Sequence, residues 1–215
     1  MIKEKMSQWN ATSAQMGLFL TKHSSLPAEF YTISSLILAI AAVFFAHSEA
    51  YITAIFLFLV SSLFDLFDGA VARAQNKASP LGAFIDGTTD RFVDLAIIYS
   101  YFFFKIDAPY LDIGQMVCIA SFVVMMPSFV VAYANHRKAV NDDDETLIWR
   151  LMNRAEMVIL MMSILIVSLF SPTWAGYLLV LLITLGTVTI IQTISATLYY
   201  AIKGNGVSKS SSSTQ

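Results

Sequence analysis

Asp65-Leu66-Phe67-Asp68-Gly69-Ala70-Val71-Ala72-Arg73, followed after eight residues by Gly82 and then by Asp86, Asp90 and Asp94, is the stretch that decides the fold. Its acids stand inside apolar sequence. Residues 51–64 carry no formal charge and continue through small residues to 74; residues 82–104 are apolar apart from the three acids and Arg91. A carboxylate at the centre of a bilayer costs about 3 kcal/mol on insertion scales. Five of them on neighbouring segments require a physical reason.

The rest of the chain sets the surroundings. Of 215 residues, 57% are hydrophobic and 13% charged, with a mean hydropathy of +0.67. A soluble domain carries about 25% charged residues, so a water-soluble globule and a disordered chain are excluded. The single Cys118 excludes a disulfide scaffold, and a net charge of −2 gives no basis for nucleic-acid binding. A bilayer core needs roughly 20 mainly apolar residues per helix. Residues 30–48 and 113–135 are uncharged; so are 157–202, long enough for two spans and broken at Ser171-Pro172. The pattern predicts an all-α integral membrane protein with six transmembrane helices near 28–47, 50–75, 82–104, 112–137, 155–171 and 174–202.

Lys and Arg then orient it. One side of the membrane collects Lys3, Lys5, Lys22, Arg73, Lys77, Arg137, Lys138, Arg150, Arg154, Lys203 and Lys209, and the other only Lys105. Both termini are expected in the cytoplasm, in a multi-pass protein of the cell membrane. The first 22 residues are not expected to be a cleavable signal, since they contain no continuous apolar core of the required length. Residues 1–25 are read as one helix. Ile2, Met6, Trp9, Met16 and Leu20 fall on one helical stripe, which fits an amphipathic helix in the cytoplasmic interface or one packed on the transmembrane helices. Residues 26–203 form the membrane domain. The Gly- and Ser-rich tail, 204–215, is expected to be disordered.

Asp65 and Asp68 are three apart and share a helical face; Asp86, Asp90 and Asp94 are four apart and share another. Two neighbouring helices can therefore aim four or five carboxylates at one point. Converging carboxylates need a cation, and a set without Cys or His favours the hard ions Mg²⁺, Mn²⁺ or Ca²⁺. Gly69, Ala70, Ala72, Gly82, Ala83 and Gly87 permit close helix approach or let a ligand reach the backbone. Arg73 is a ready phosphate partner, because a guanidinium binds phosphate oxygens bidentately. Asp94 taken alone reads as a polar residue pairing helices.

This segment resembles the signature of the CDP-alcohol phosphatidyltransferases, D-x2-D-G-x2-A-R-x8-G-x3-D-x3-D, at every fixed position and every gap. The resemblance implies transfer of a phosphatidyl or archaetidyl group from a CDP-linked lipid to a small polar alcohol, with release of CMP. It also implies two divalent cations, Mg²⁺ or Mn²⁺, held by Asp65, Asp68, Asp86 and Asp90. Asp90 would be the general base, and Asp65, Gly69, Arg73 and Gly82 would contact the CDP moiety. Phosphoryl transfer of this kind rests on positioning and charge neutralisation rather than covalent catalysis.

The acceptor is read from the region after the fourth span. Tyr133-Ala134-Asn135-His136-Arg137-Lys138 and Asn153-Arg154-Ala155-Glu156 are similar, in part, to the basic pocket of the inositol-phosphate-using branch. Arg137 and Arg154, with Ser128 deeper on the same helix as Arg137, would bind an acceptor phosphate, making myo-inositol phosphate the first choice and glycerol 3-phosphate or serine the alternatives. Ala132, Asn135 and Met157 depart from that branch's pattern. The plainer account of these cations is positive-inside anchoring. Asn141-Asp142-Asp143-Asp144-Glu145 reads as a solvated loop, and Tyr99 with Tyr101–Phe104 as an aromatic belt. The apolar helix surfaces would permit a homodimer. Two rival functions are an intramembrane prenyltransferase, with a different Asp spacing, and a divalent-cation transporter, for which neither an inverted repeat nor a task for Arg73 is evident.

Overall fold

Helix α1, Ala28–His47, starts behind Pro27, whose φ of −71° and extended ψ set the chain for entry into a helix. A computed structural model describes residues 27–75, 79–139 and 151–212, without the side chains of 72, 73 and 203–212. Five further helices follow: α2 (Tyr51–Ala74), α3 (Pro80–Ser100), α4 (Ile113–His136), α5 (Arg154–Ser168) and α6 (Pro172–Ser212). There is no strand among the described residues. The amphipathic segment expected at 1–25 and the acidic loop at 141–145 lie outside the described residues. The chain divides into two compact units, Met1–Phe104 and Lys105–Gln215.

In the first unit α1 is the common support. Its buried face steps through Thr32, Ser35, Ala39, Ala42 and Ala46, small residues at helical spacing that let another backbone come close. Ile33, Ile37, Ile40 and Phe44 point outward, as lipid-facing residues do. Both α2 and α3 pack on α1, while α2 and α3 touch each other only slightly. Past the end of α1 at His47, the chain turns at Glu49, a non-glycine residue at φ 60°, and Ala50 N–H returns to Phe45 O at 2.9 Å. The predicted third span ends early: past Ser100 the chain winds through tight turns, Phe102 N–H bonding Tyr99 O at 3.2 Å. Phe103 and Phe104 are thereby placed on His47 and Tyr51, with ring centroids 5.1 and 4.8 Å apart.

In the second unit α6 packs on both α4 and α5. A Cβ on Gly186 would stand 2.8 Å from Val123, and one on Gly176 would collide with the Asp107 carbonyl, so both glycines are required by close approach. Asp107 also latches the start of α6, accepting from Thr173 Oγ1 at 2.9 Å. Helix α4 opens on a capping box between Asp112 and Gln115. At α5, Glu156 accepts the Asn153 N–H at 2.8 Å, so this acid closes its own helix start.

Among the described residues, four helices are long and apolar enough to cross a membrane: Ala28–His47, Tyr51–Val71, Ile113–His136 and Pro172–Ile202. The protein is thus a multi-pass helical membrane protein. Two of the six predicted spans do not meet that standard, for separate reasons. Helix α3 carries Asp86, Asp90, Arg91 and Asp94. Helix α5 has 15 residues, about 22 Å of rise against a hydrocarbon core of about 30 Å. Helix α6 continues from the apolar run to Ser212. Extending an existing helix needs no new nucleus, which favours continuation through residues that would not start one.

Candidate active site

The acids of α2 and α3 converge. One carboxylate oxygen from each of Asp65, Asp68 and Asp86 lies within 4.8 Å of the other two. Asp65 and Asp68 come from the last turns of α2, one helical step apart. Asp86 comes from the second turn of α3, whose start is fixed by Ser79 and Pro80: Ser79 Oγ accepts the Gly82 N–H at 3.0 Å, and Pro80 occupies the first position, where no donor is needed. Three all-oxygen ligands at this separation, with no Cys or His among them, fit a hard divalent cation.

Burial is uneven across the cluster. Asp68 is 4% exposed, whereas Asp65 and Asp86 are half-buried. Asp68 Oδ2 accepts a hydrogen bond from Thr32 Oγ1 of α1 at 2.8 Å. This contact was not legible beforehand, since α1 carries no acid of the motif. Its one trace in the sequence is a polar face, Thr32 and Ser35, within an otherwise apolar span.

Asp90, one turn along α3 from Asp86, stands outside the 4.8 Å cluster. Its Oδ2 is 3.9 Å from an Arg91 nitrogen, and Arg91 lies 3.2 Å from Asp94. Asp94 therefore has its own counter-ion three residues back and is not gathered with the other acids. Gly82 has a local role besides any ligand contact: an added Cβ would come 3.2 Å from Ser79 Oγ, the cap of α3. Gly69 is half-buried beside Asp68, and Gly87 faces open space. Arg73 lies on α2, with its side chain outside the described residues.

The residues read as an acceptor pocket belong to the second unit. Arg137 caps the C-terminus of α4, is exposed, and donates from Nε to the Tyr133 hydroxyl at 3.1 Å with its guanidinium 5.2 Å from that ring's centre. Tyr133 in turn stacks on Phe129. Arg154 is half-buried at the first position of α5, and Ser128 is half-buried on α4. A cation at a helix N-terminus opposes the helix dipole, so Arg154 gains nothing electrostatically from its own helix.

Fold and cluster together define a class: a helical membrane protein with an oxygen-only site for a divalent metal where two helices meet. The family model for CDP-alcohol phosphatidyltransferase matches residues 26–200. The chain is 28% identical over 192 residues to the archaetidylinositol phosphate synthase of Pyrococcus horikoshii, covering 89% of each protein. It is 37% identical over 82 residues to the phosphatidylinositol phosphate synthase of Corynebacterium glutamicum, covering 34% of this chain and 33% of that one. Its fold is similar to that of the Mycobacterium tuberculosis phosphatidylinositol phosphate synthase crystallised with manganese and citrate, at a TM-score of 0.65 and 22% identity, over 86% of this chain and 88% of that one. The same enzyme with CDP-DAG bound gives 0.62.

The chain belongs to the CDP-alcohol phosphatidyltransferase family. It is a phospholipid-synthesising transferase, moving a phosphatidyl or archaetidyl group from a CDP-linked lipid to the hydroxyl of a small alcohol with release of CMP.

Proposed function

We propose that the acceptor is myo-inositol phosphate, that two divalent cations assist the transfer, and that the site opens to the cytoplasm. The observation that carries the chemistry is the convergence of Asp65, Asp68 and Asp86. The acceptor rests on the full-length similarity to an archaetidylinositol phosphate synthase. Asp65, Asp68 and Asp86 hold the first ion; Asp90, one turn on, joins in holding a second. When bound, such a pair polarises the diphosphate and neutralises charge on the attacking and leaving oxygens.

The chain's own residues supply the rest. Gly69 and Gly82 let the nucleotide diphosphate approach the backbone, and Arg73 holds its phosphate oxygens in a bidentate grip. Asp65 adds a contact to the CDP moiety. Arg137 and Arg154, with Ser128, receive the acceptor's phosphate and so aim its hydroxyl. The acceptor oxygen forms a bond to the lipid-bearing phosphorus as the bond to the CMP oxygen breaks, and the hydroxyl proton passes to the Asp90 carboxylate. A positioned base of this kind contributes about 10²–10⁴-fold to a rate.

CMP release from a CDP-linked lipid with Mn²⁺ tests this reading, with myo-inositol phosphate, glycerol 3-phosphate, serine and free inositol as acceptors. Inositol phosphate should give the highest kcat/KM, and Asp90→Asn should lower kcat about 10²-fold or more. Equal turnover by wild type and Asp90→Asn removes Asp90 as base; preference for another acceptor removes the inositol assignment. Arg137→Ala and Arg154→Ala should each raise KM for the phosphorylated acceptor. The same reading includes six membrane crossings, counting α3 and α5, with both termini cytoplasmic. Thiol labelling of Lys105→Cys and Lys138→Cys in sealed vesicles should then mark opposite faces. The exposed apolar helix faces suit a homodimer, which light scattering in detergent would detect.

A further inference from the structure

Helix α1 contributes no acid to the site, yet it reaches the buried corner of the cluster. Thr32 is 5% exposed, and its hydroxyl has two acceptors in range: Asp68 Oδ2 at 2.8 Å and Ala28 O at 3.3 Å. A hydroxyl has one proton to donate. The shorter, charge-assisted contact takes it, since bonds to ionised acceptors are shorter and roughly twice as strong as neutral ones. Thr32 is itself held: Ser35 Oγ donates to Thr32 O at 2.8 Å, and Ser61 Oγ of α2 donates to Ser35 O at 2.7 Å. Ser35 and Ser61 are fully buried. A run of hydroxyl-to-oxygen contacts thus ties α1 to α2 and ends on Asp68. Helices α2 and α3 both pack on α1 but hardly on each other, so a group on α1 is well placed to set the geometry of acids that α2 and α3 supply.

We infer that Thr32 is a positioning residue for the metal site, its hydroxyl fixing the rotation of the Asp68 carboxylate so that Asp68 meets the ion pre-aligned. This rests on the reading of Asp68 as a metal ligand. The physical case is that a carboxylate flanked by two others lowers its repulsion by rotating away, and a buried donor on Oδ2 opposes that rotation. Partners that orient metal ligands in this way typically change metal affinity or activity about 10–100-fold when removed.

The test is Mn²⁺ titration of the purified full-length protein, followed by the loss of free-ion electron paramagnetic resonance signal, alongside thermal unfolding in excess chelator. Thr32→Val keeps shape and deletes the donor; Thr32→Ala deletes it without adding bulk; Thr32→Ser keeps it; Asp68→Asn tests the ligand itself. Val and Ala variants should weaken Mn²⁺ binding about 10-fold, Ser should remain within about two-fold of wild type, and all three should be folded and unfold in chelator in one cooperative transition. Should Val be poorly folded, Ala alone decides. Asp68→Asn with wild-type Mn²⁺ affinity would sink the ligand reading itself. Loss of binding in Asp68→Asn with unchanged binding in Thr32→Ala would overturn only the role given to Thr32. Equal weakening in Ser and Ala would also overturn it, because a bulk effect and not the hydroxyl would then be responsible.

Discussion

Asp68 and Asp94 are both buried carboxylates within apolar helices, at 4% and 0% exposure, and the protein treats them in opposite ways. Asp94 is compensated within its own helix by Arg91 at 3.2 Å. Asp68 is given a neutral hydroxyl and two more carboxylates with oxygens inside 4.8 Å. Burying an unpaired charge is expensive, and pairing it is the ordinary remedy. Around Asp68 the described residues gather like charges. On the proposed function, the difference separates an acid that serves the fold from acids arranged for an ion that arrives from outside.

The largest effect expected from breaking this contrast is on turnover. Asp86→Asn removes one of three converging ligands and should lower CMP release by about 10²–10³-fold, the scale of losing a principal electrostatic contact in a transition state. Asp94→Asn should leave turnover per folded molecule within a few-fold of wild type. A comparable loss of kcat in both variants would erase the distinction.

Next comes stability, where the ranking reverses. Asp94→Leu removes the nearer of the two acids beside Arg91, leaving Asp90 at 3.9 Å. Removal of one partner of a buried ion pair costs about 3–5 kcal/mol, and with Arg91 partly exposed the lower figure, about 3 kcal/mol, is expected from denaturation in detergent. The double variant Arg91→Met with Asp94→Leu should recover most of that loss, since apolar replacement of an entire pair is often neutral. No recovery would mean that Arg91 has another task, with Asp90 at 3.9 Å the first candidate. Chelation supplies a third comparison. Mn²⁺ at about 100 times its Kd should stabilise wild type by about 2.7 kcal/mol and leave Asp86→Asn almost unmoved.

How far this contrast could be read from sequence depends on which interactions are local. The convergence of Asp65, Asp68 and Asp86 was legible because period and polarity are written in the chain. Ala28–His47 and Ile113–His136 lie within a residue or so of the spans predicted at 28–47 and 112–137, since uncharged runs bounded by polar residues define themselves. The Arg91–Asp94 pair was available in principle as an i,i+3 spacing, yet Asp94 also continued the four-residue series of Asp86 and Asp90, and periodicity alone could not tell a ligand from a paired acid. Thr32–Asp68 spans 36 positions and depends on how α1 packs against α2. The end of α3 was overestimated because aromatic residues extend an apolar run on paper, whereas Phe103 and Phe104 leave the helix to pack on His47 and Tyr51.

The smallest effect is the most discriminating, because it is a difference in sign. In metal-free protein the cluster holds like charges against one another, so neutralising one should relieve repulsion. Asp86→Asn in chelator is therefore expected to be more stable than wild type by about 1 kcal/mol, the usual size of the gain when a residue kept for function at a cost in stability is replaced. Asp94→Asn in the same buffer should be less stable, because the neutral amide no longer balances the Arg91 guanidinium 3.2 Å away. Parallel unfolding curves of the two variants, one shifted up and one down, would establish that two acids of the same helix have opposite roles. Two shifts in the same direction would mean that the Asp65–Asp68–Asp86 group carries its own internal compensation, and that its convergence does not require a cation to be tolerated.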